Sequence, residues 1–473
     1  MIPRMTYRQH LSAILILGLP LAGSQLAQMS LSLVDAVMLG WYDTTTFAAE
    51  TLGGSFFMVL FLACTGFAAA LTPLVSAAEG RGEHTTARRV TRMSLWLSLL
   101  AGAGCLPILL NAEPIFLLLG QKPEIAHLAG QYLSILSWGI FPGLATMVLR
   151  SHLAALERTR VVLVAMLVAV LVNGAGNYLL IFGHFGFPEM GIRGAALASL
   201  LMHCATTVFL VIYIQKTLPE HELFVRIWRP DWEAFGEVFR LGWPIGLTLV
   251  AEVGLFSATS VMMGWVGETA LVAHGIALQI TSFTFMVHLG LSQAAAVRAG
   301  RAHGRGTMTD LRRGASMALV MSVLMVAVTV VVLVAFPAEL IGLFLDPDNP
   351  ERAEVIAVGR VLLLASAAFQ LADAMQVMAL GLLRGLHDTQ RPMLYAGFSY
   401  WGVAVPCSYV FGIVLGWGGV GIWLGLALGL ALAAFLMMRR LWRVVIPRIT
   451  AEVYARIGFN QMITDKQGAR QAS

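Results

Sequence analysis

Three carboxylates stand inside long apolar stretches of this chain: Asp35, Glu252 and Asp373. An aspartate at the centre of a bilayer helix costs about 2.5–3.5 kcal/mol on insertion scales, so such a group normally faces a cavity and serves function. The competing readings are a side chain that reaches an interface or one that closes a structural pair. Depth argues against these for two of the acids. Glu252 follows Arg240 by twelve residues, and Asp373 precedes Arg384 by eleven. At about 1.5 Å per helical residue, both acids lie roughly 16–18 Å from those arginines, near a bilayer midplane. Two acids at one depth can share a proton or ligate a hard cation such as Na+. Asp35 lies five residues before Gly40 and belongs to the outer part of its span. Asn173 and Asn177, one helical turn apart on one face, are placed either to hydrogen-bond Asp35 or to hold two helices together as a polar pair. Gln279, His288, Phe369 and Gln376 are candidate cavity-lining residues, with ordinary core packing as the competing reading. Pro20, matched by Pro244 in the second half, is a candidate hinge, because proline removes a helix hydrogen bond.

The elements that must position these residues are membrane helices. The chain is 58% hydrophobic and 12% charged over 473 residues, with a mean hydropathy of +0.78. That composition excludes a soluble globule. Twelve apolar spans are expected near 10–38, 50–77, 90–110, 127–149, 161–182, 191–214, 238–266, 271–297, 314–336, 354–383, 393–415 and 419–442. With both termini placed in the cytoplasm, all but four of the 31 Lys and Arg residues fall inside, the exceptions being Lys122, Arg193, Arg352 and Arg360. The positive-inside bias therefore predicts a multi-pass protein of the cytoplasmic membrane with both termini cytoplasmic.

The chain also repeats itself. Leu17-Gly18-Leu19-Pro20 returns 224 residues later as Leu241-Gly242-Trp243-Pro244, and Gly80-Arg81-Gly82 as Gly304-Arg305-Gly306. The expected fold is an all-α membrane protein of two pseudo-symmetric six-helix bundles, an architecture common among transporters. Residues 1–214 form the N-lobe, 215–237 a cytoplasmic linker, 238–445 the C-lobe and 446–473 a polar, disordered tail. The acids do not follow the repeat, since Asp35 aligns with Thr259 and Glu252 with Gln28. Each half has its own polar centre.

Enzymatic chemistry finds no support. The Gly-x-x-x-x-Gly-Lys phosphate loop, the His-Glu-x-x-His zinc motif, the Cys-x-x-Cys pair and the Gly-x-Ser-x-Gly nucleophile elbow are all missing from the sequence. Cys64, Cys105, Cys204 and Cys407 are scattered through the spans and read as packed thiols. No cofactor and no nucleic-acid partner are expected, and the net charge of +5 is distributed over short loops.

At three of these places the chain resembles the MATE family of multidrug and toxin extruders, in its NorM-type branch. The residues are Val34-Asp35-Ala-Val-Met-Leu-Gly40, Ala251-Glu252-Val253 and Leu371-Ala-Asp373-Ala-Met-Gln376, supported by Asn173-x-x-x-Asn177-Tyr178. The resemblance implies a central V-shaped cleft and export of organic, cationic, aromatic drugs in exchange for Na+ or H+. It assigns Glu252 and Asp373 to a C-lobe cation site. It assigns Asp35, Asn173 and Asn177 to a proton-responsive N-lobe network. Phe369 stands where relatives often carry a tyrosine. The partners implied are small organic cations and the lipid bilayer, with a monomer as the expected state. Two rivals are a lipid-linked saccharide flippase on a related scaffold and a major-facilitator-type carrier. A flippase needs arginines in its cavity to grip pyrophosphate, and no arginine is expected at the centre of any span.

Overall fold

The computed structural model describes residues 5–347 and 350–455. Among the described residues, twelve helices are long and apolar enough to cross a membrane: α1 Tyr7–Tyr42, α2 Thr44–Arg81, α3 His84–Leu110, α4 Pro123–Ala155, α5 Thr159–Leu180, α6 Ile192–Thr217, α7 Trp232–Val266, α8 Glu268–Arg305, α9 Met308–Ala335, α10 Arg352–Gly385, α11 Gln390–Val414 and α12 Gly418–Ala455. An even number of crossings returns the chain to one side, called here the terminal face. Apolar side chains such as Leu324, Val328 and Val331 of α9 point outward, as lipid contact requires.

Local sequence sets the helix ends. Thr6 caps α1 in a capping box with Gln9, and Asp43 caps α2 by accepting from the Thr46 amide at 2.8 Å. The glycine loops of the repeat stop α2 and α8 in the same way. Gly82 and Gly306 adopt φ values of 75° and 69°, a left-handed conformation that glycine enters without a Cβ penalty.

Two segments differ from expectation. The connection between lobes spans 218–231 rather than 215–237, because α6 continues through Thr217 and α7 already starts at Trp232. The chain from 446 does not begin as a loose tail. Helix α12 runs on to Ala455, with Ile446 and Ile449 buried against the C-lobe core. The rest of the expected tail, 456–473, lies outside the described residues.

Helices α1–α6 and α7–α12 form two lobes, which meet as the repeat demands: α1 packs on α8 and α2 packs on α7. Small residues permit the approach. Gly18 faces Leu291, Gly290 faces Ala22, Gly66 faces Gly242 and Gly246, and Gly304 faces Ala77. Among the described residues, these close approaches all fall in the halves of the helices nearest the terminal face. Polar contacts join the lobes at the same level. Arg301 pairs with Glu157 at 3.1 Å, and the His387 ring meets the Pro73 carbonyl at 3.2 Å.

Candidate functional site

In the C-lobe, α7 carries Glu252, α10 carries Asp373, Gln376 and Arg384, and α11 carries Tyr400. Glu252 is 9% exposed and Asp373 3%. The charge of Glu252 acts on Asp373, and both carboxylates act on Tyr400. Arg384 reaches up from the terminal end of α10 and attracts Glu252. The Gln376 amide donates to the Tyr400 hydroxyl at 2.7 Å. Among the described residues, Glu252 Oε1, Asp373 Oδ1 and Gln376 Oε1 are buried without a hydrogen-bond partner. Buried acceptors are normally satisfied, so three orphaned oxygens in one neighbourhood suit a proton or a hard cation. Tyr400 is delivered by a π-helical stretch, Phe398–Ala404, just before Pro406, whose missing N–H disturbs the helix ladder.

Three other C-lobe candidates, Phe369, His288 and Gln376, are buried. Phe369 is 2% exposed and packs edge-on against Trp423 and Phe256, in the lobe core. His288 is 1% exposed and its Nδ1 meets Ser322 of α9 at 3.1 Å. Of the two readings of these positions, cavity lining and core packing, their burial fits the second. The apolar packing between helices encloses them. Gln376 is likewise fully enclosed, although beside the acids. Gln279 is half-buried on α8.

The N-lobe builds a second polar centre from α1, α5 and α6. Asn177 Nδ2 donates to Asp35 Oδ1 at 2.5 Å, while Asn173 Nδ2 points to Ser199 Oγ at 3.5 Å. Asn173 and Ser199 also act on the Asp35 carboxylate. Both asparagines are fully buried, and the Oδ1 atom of each lacks a partner among the described residues. A further acid joins them that sequence reasoning missed. Glu50, on the first turns of α2, lies within Coulombic range of Asp35, and both act on buried Tyr132 of α4.

Below this centre, toward the terminal face, lies a cavity lined by Gln28, Phe61, Met147, Arg150, Met166 and Met202. It has about 350 Å³ of space, part of it open to solvent. Arg150 is 7% exposed and donates to Gln28 at 2.9 Å. No arginine is expected at the centre of a span, and Arg150 and Arg384 indeed lie near helix ends, but Arg150 is buried and Arg384 half-buried within the lobes. Arg150 and Arg384 start near the terminal ends of α4 and α10, but long side chains carry their charge inward. Pro20 sits within an uninterrupted α1, two residues from the Gly18–Leu291 contact between the lobes.

Known proteins share the sequence and the fold of this chain. The chain is 48% identical to the probable multidrug resistance protein NorM of Rhizobium meliloti (strain 1021) over 92% of its own length and 94% of the relative's. A protein of the same description from Agrobacterium fabrum (strain C58 / ATCC 33970) is 42% identical over 91% and 93%. A crystal structure of MATE in the bent conformation superposes with a TM-score of 0.84 at 20% identity, covering 96% of this chain and all of that one, which shows the shared fold. The MatE family model matches residues 20–179 and 244–410, taking in α1 to α5 from Pro20 onward and the equivalent stretch of the second lobe. Two repeated six-helix lobes, each with its own buried acids, are thus the frame of a MATE transporter, and this chain belongs to the MatE family.

Proposed function

We propose that the protein is a cation-coupled antiporter that expels organic, cationic, aromatic compounds across the cytoplasmic membrane in exchange for Na+ or H+. The observation that carries this reading is the pair of buried carboxylates, Glu252 and Asp373, each with an unpartnered oxygen. A lone charge at such depth is costly, so the site gains from a bound cation or proton. Coupling then requires only that ion and drug bias the inward- and outward-facing states differently.

The N-lobe cavity suits the drug. Phe61, Met147, Met166 and Met202 offer polarizable apolar surface. Gln28 and Asp35, seven residues apart, lie on one face of α1. The floor is positive through Arg150, and the acids Asp35 and Glu50 stand on the opposite, far-face side. A drug would therefore lie with its cationic group toward Asp35 and its rings among the methionines. The clustering of Arg81, Arg88, Arg89, Arg298, Arg301 and Arg305 at helix ends on the terminal face supports placing both termini in the cytoplasm. The relatives described as multidrug resistance proteins support export as the direction.

Proteoliposomes loaded with a fluorescent cationic drug test the reading. An imposed inward Na+ or pH gradient should drive drug out against its own gradient. Drug movement that ignores both gradients would leave a passive carrier, and movement of a lipid-linked saccharide alone would favour the flippase.

A further inference from the structure

We infer that Glu79, His84 and His221 form a site for a divalent transition metal of the Zn2+ class, fastening the segment between the lobes to the N-lobe. Glu79 and His84 flank the glycine turn between α2 and α3, whereas His221 comes from the connecting segment, some 140 residues further on in the sequence. Each offers one ligand atom, and these atoms lie within 4.8 Å of one another. His84 Nδ1 and Glu79 Oε1 are already 3.0 Å apart. Donors of a tetrahedral zinc ion, at about 2.0–2.1 Å from the metal, stand about 3.3 Å from each other. Small rotations of Glu79 and the exposed His84 close the remaining gap. Two imidazoles and one carboxylate are a borderline donor set that suits zinc and leaves a fourth position for water.

A hydrogen bond between Glu79 and His84 does not by itself require a metal. The second observation is His221. It is 7% exposed, yet its Nδ1 meets no partner among the described residues. The ring is held edge-on between His84 at 5.5 Å and His152 at 5.9 Å, and His152 is fixed in turn by Thr91 at 3.0 Å. Packing has therefore oriented a buried imidazole beside a His–Glu pair, with a ring nitrogen left unsatisfied.

The strap around it is firm. Arg88 pairs with Glu222 at 2.5 Å, and Arg92 donates to the carbonyls of Glu222 and Leu223 at 2.7 and 2.8 Å. The same α2–α3 turn lies against α8, where Gly80 faces Arg301. A metal here would stiffen the region in which the lobes meet.

The test uses full-length protein purified without a histidine tag, dialysed against chelator and titrated with ZnCl2 by calorimetry, with Co2+ absorption as a ligand-field readout. One ion per chain is expected. His84→Ala and His221→Ala should each weaken binding about tenfold or more. His127→Ala should not, although His127 bonds Glu113 at 3.1 Å at the other face. Should His221→Ala fail to fold, the exposed His84→Ala and Glu79→Gln carry the same test. No stoichiometric binding, or binding that His84→Ala and Glu79→Gln leave unchanged, overturns the proposal.

Discussion

At the scale of the residue, the account rests on the carboxylates. Glu252→Gln and Asp373→Asn keep the shape of each side chain and remove its charge. Each is expected to abolish ion-driven efflux in proteoliposomes while the protein still inserts and runs as a monodisperse species. Wild-type efflux from either variant would remove the C-lobe acids from the mechanism. These acids were legible in the sequence, because a buried charge in an apolar span is costly and stands out wherever it occurs. Their surroundings were not. Tyr400 is one aromatic among many in α11, and only the π-helical backbone turns it inward. Arg150 and Arg384 begin near helix ends, so a count along the chain underestimates how far their guanidinium groups reach. For Phe369 and His288 the sequence left cavity lining and core packing open, because neither position says what the neighbouring helices place around it.

At the scale of the element, the α10–α11 turn is the most informative. His387, outside the membrane spans, has a φ of 61° and crosses the lobe boundary to Pro73. Burial holds its imidazole well below the ordinary value of 6.5, at about 4, and the positive charges of Arg81 and Arg240 act in the same direction, as does neighbouring His303. The folded state therefore keeps His387 neutral where the unfolded chain would protonate it. Linkage then makes acidification destabilising as pH falls from about 6.5 toward 4, and neutral above that window. His387→Gln, which keeps a neutral donor for Pro73, should flatten the fall in melting temperature across this range. An unchanged pH profile would show that His387 is not the group responsible. Helix number and order were readable from apolar length alone. The end of α12 was not, because Ile446 and Ile449 are separated by Pro447 and Arg448 and their burial depends on contacts from other helices. The contact between Cys64 and Cys105, 3.6 Å apart, was hidden for the same reason.

At the scale of the whole molecule, transport requires the two lobes to separate where they now touch. The Cβ of a residue at 18 would lie 3.6 Å from Ala294 Cβ, within the span of a disulfide. In a background lacking the native cysteines, Gly18→Cys with Ala294→Cys should cross-link α1 to α8 under mild oxidation. Efflux should stop and return on reduction, whereas oxidised protein that still transports would show that the lobes need not part here. The two-lobe plan itself was legible from the internal repeat, but the face on which the lobes meet was not, since both halves carry small residues throughout. The central claim is that ion and drug are antagonists at buried carboxylates, and linkage demands that the antagonism be reciprocal. The most direct measurement is equilibrium binding of a fluorescent cationic drug to purified protein, titrated with Na+ at fixed pH and with H+ at fixed Na+, in the wild type and in Glu252→Gln and Asp373→Asn. The account predicts that at least one ion weakens drug binding in the wild type, that drug weakens binding of that ion by the same factor, and that both effects vanish in the variants. Drug affinity indifferent to both ions, or antagonism that persists without either carboxylate, would contradict it.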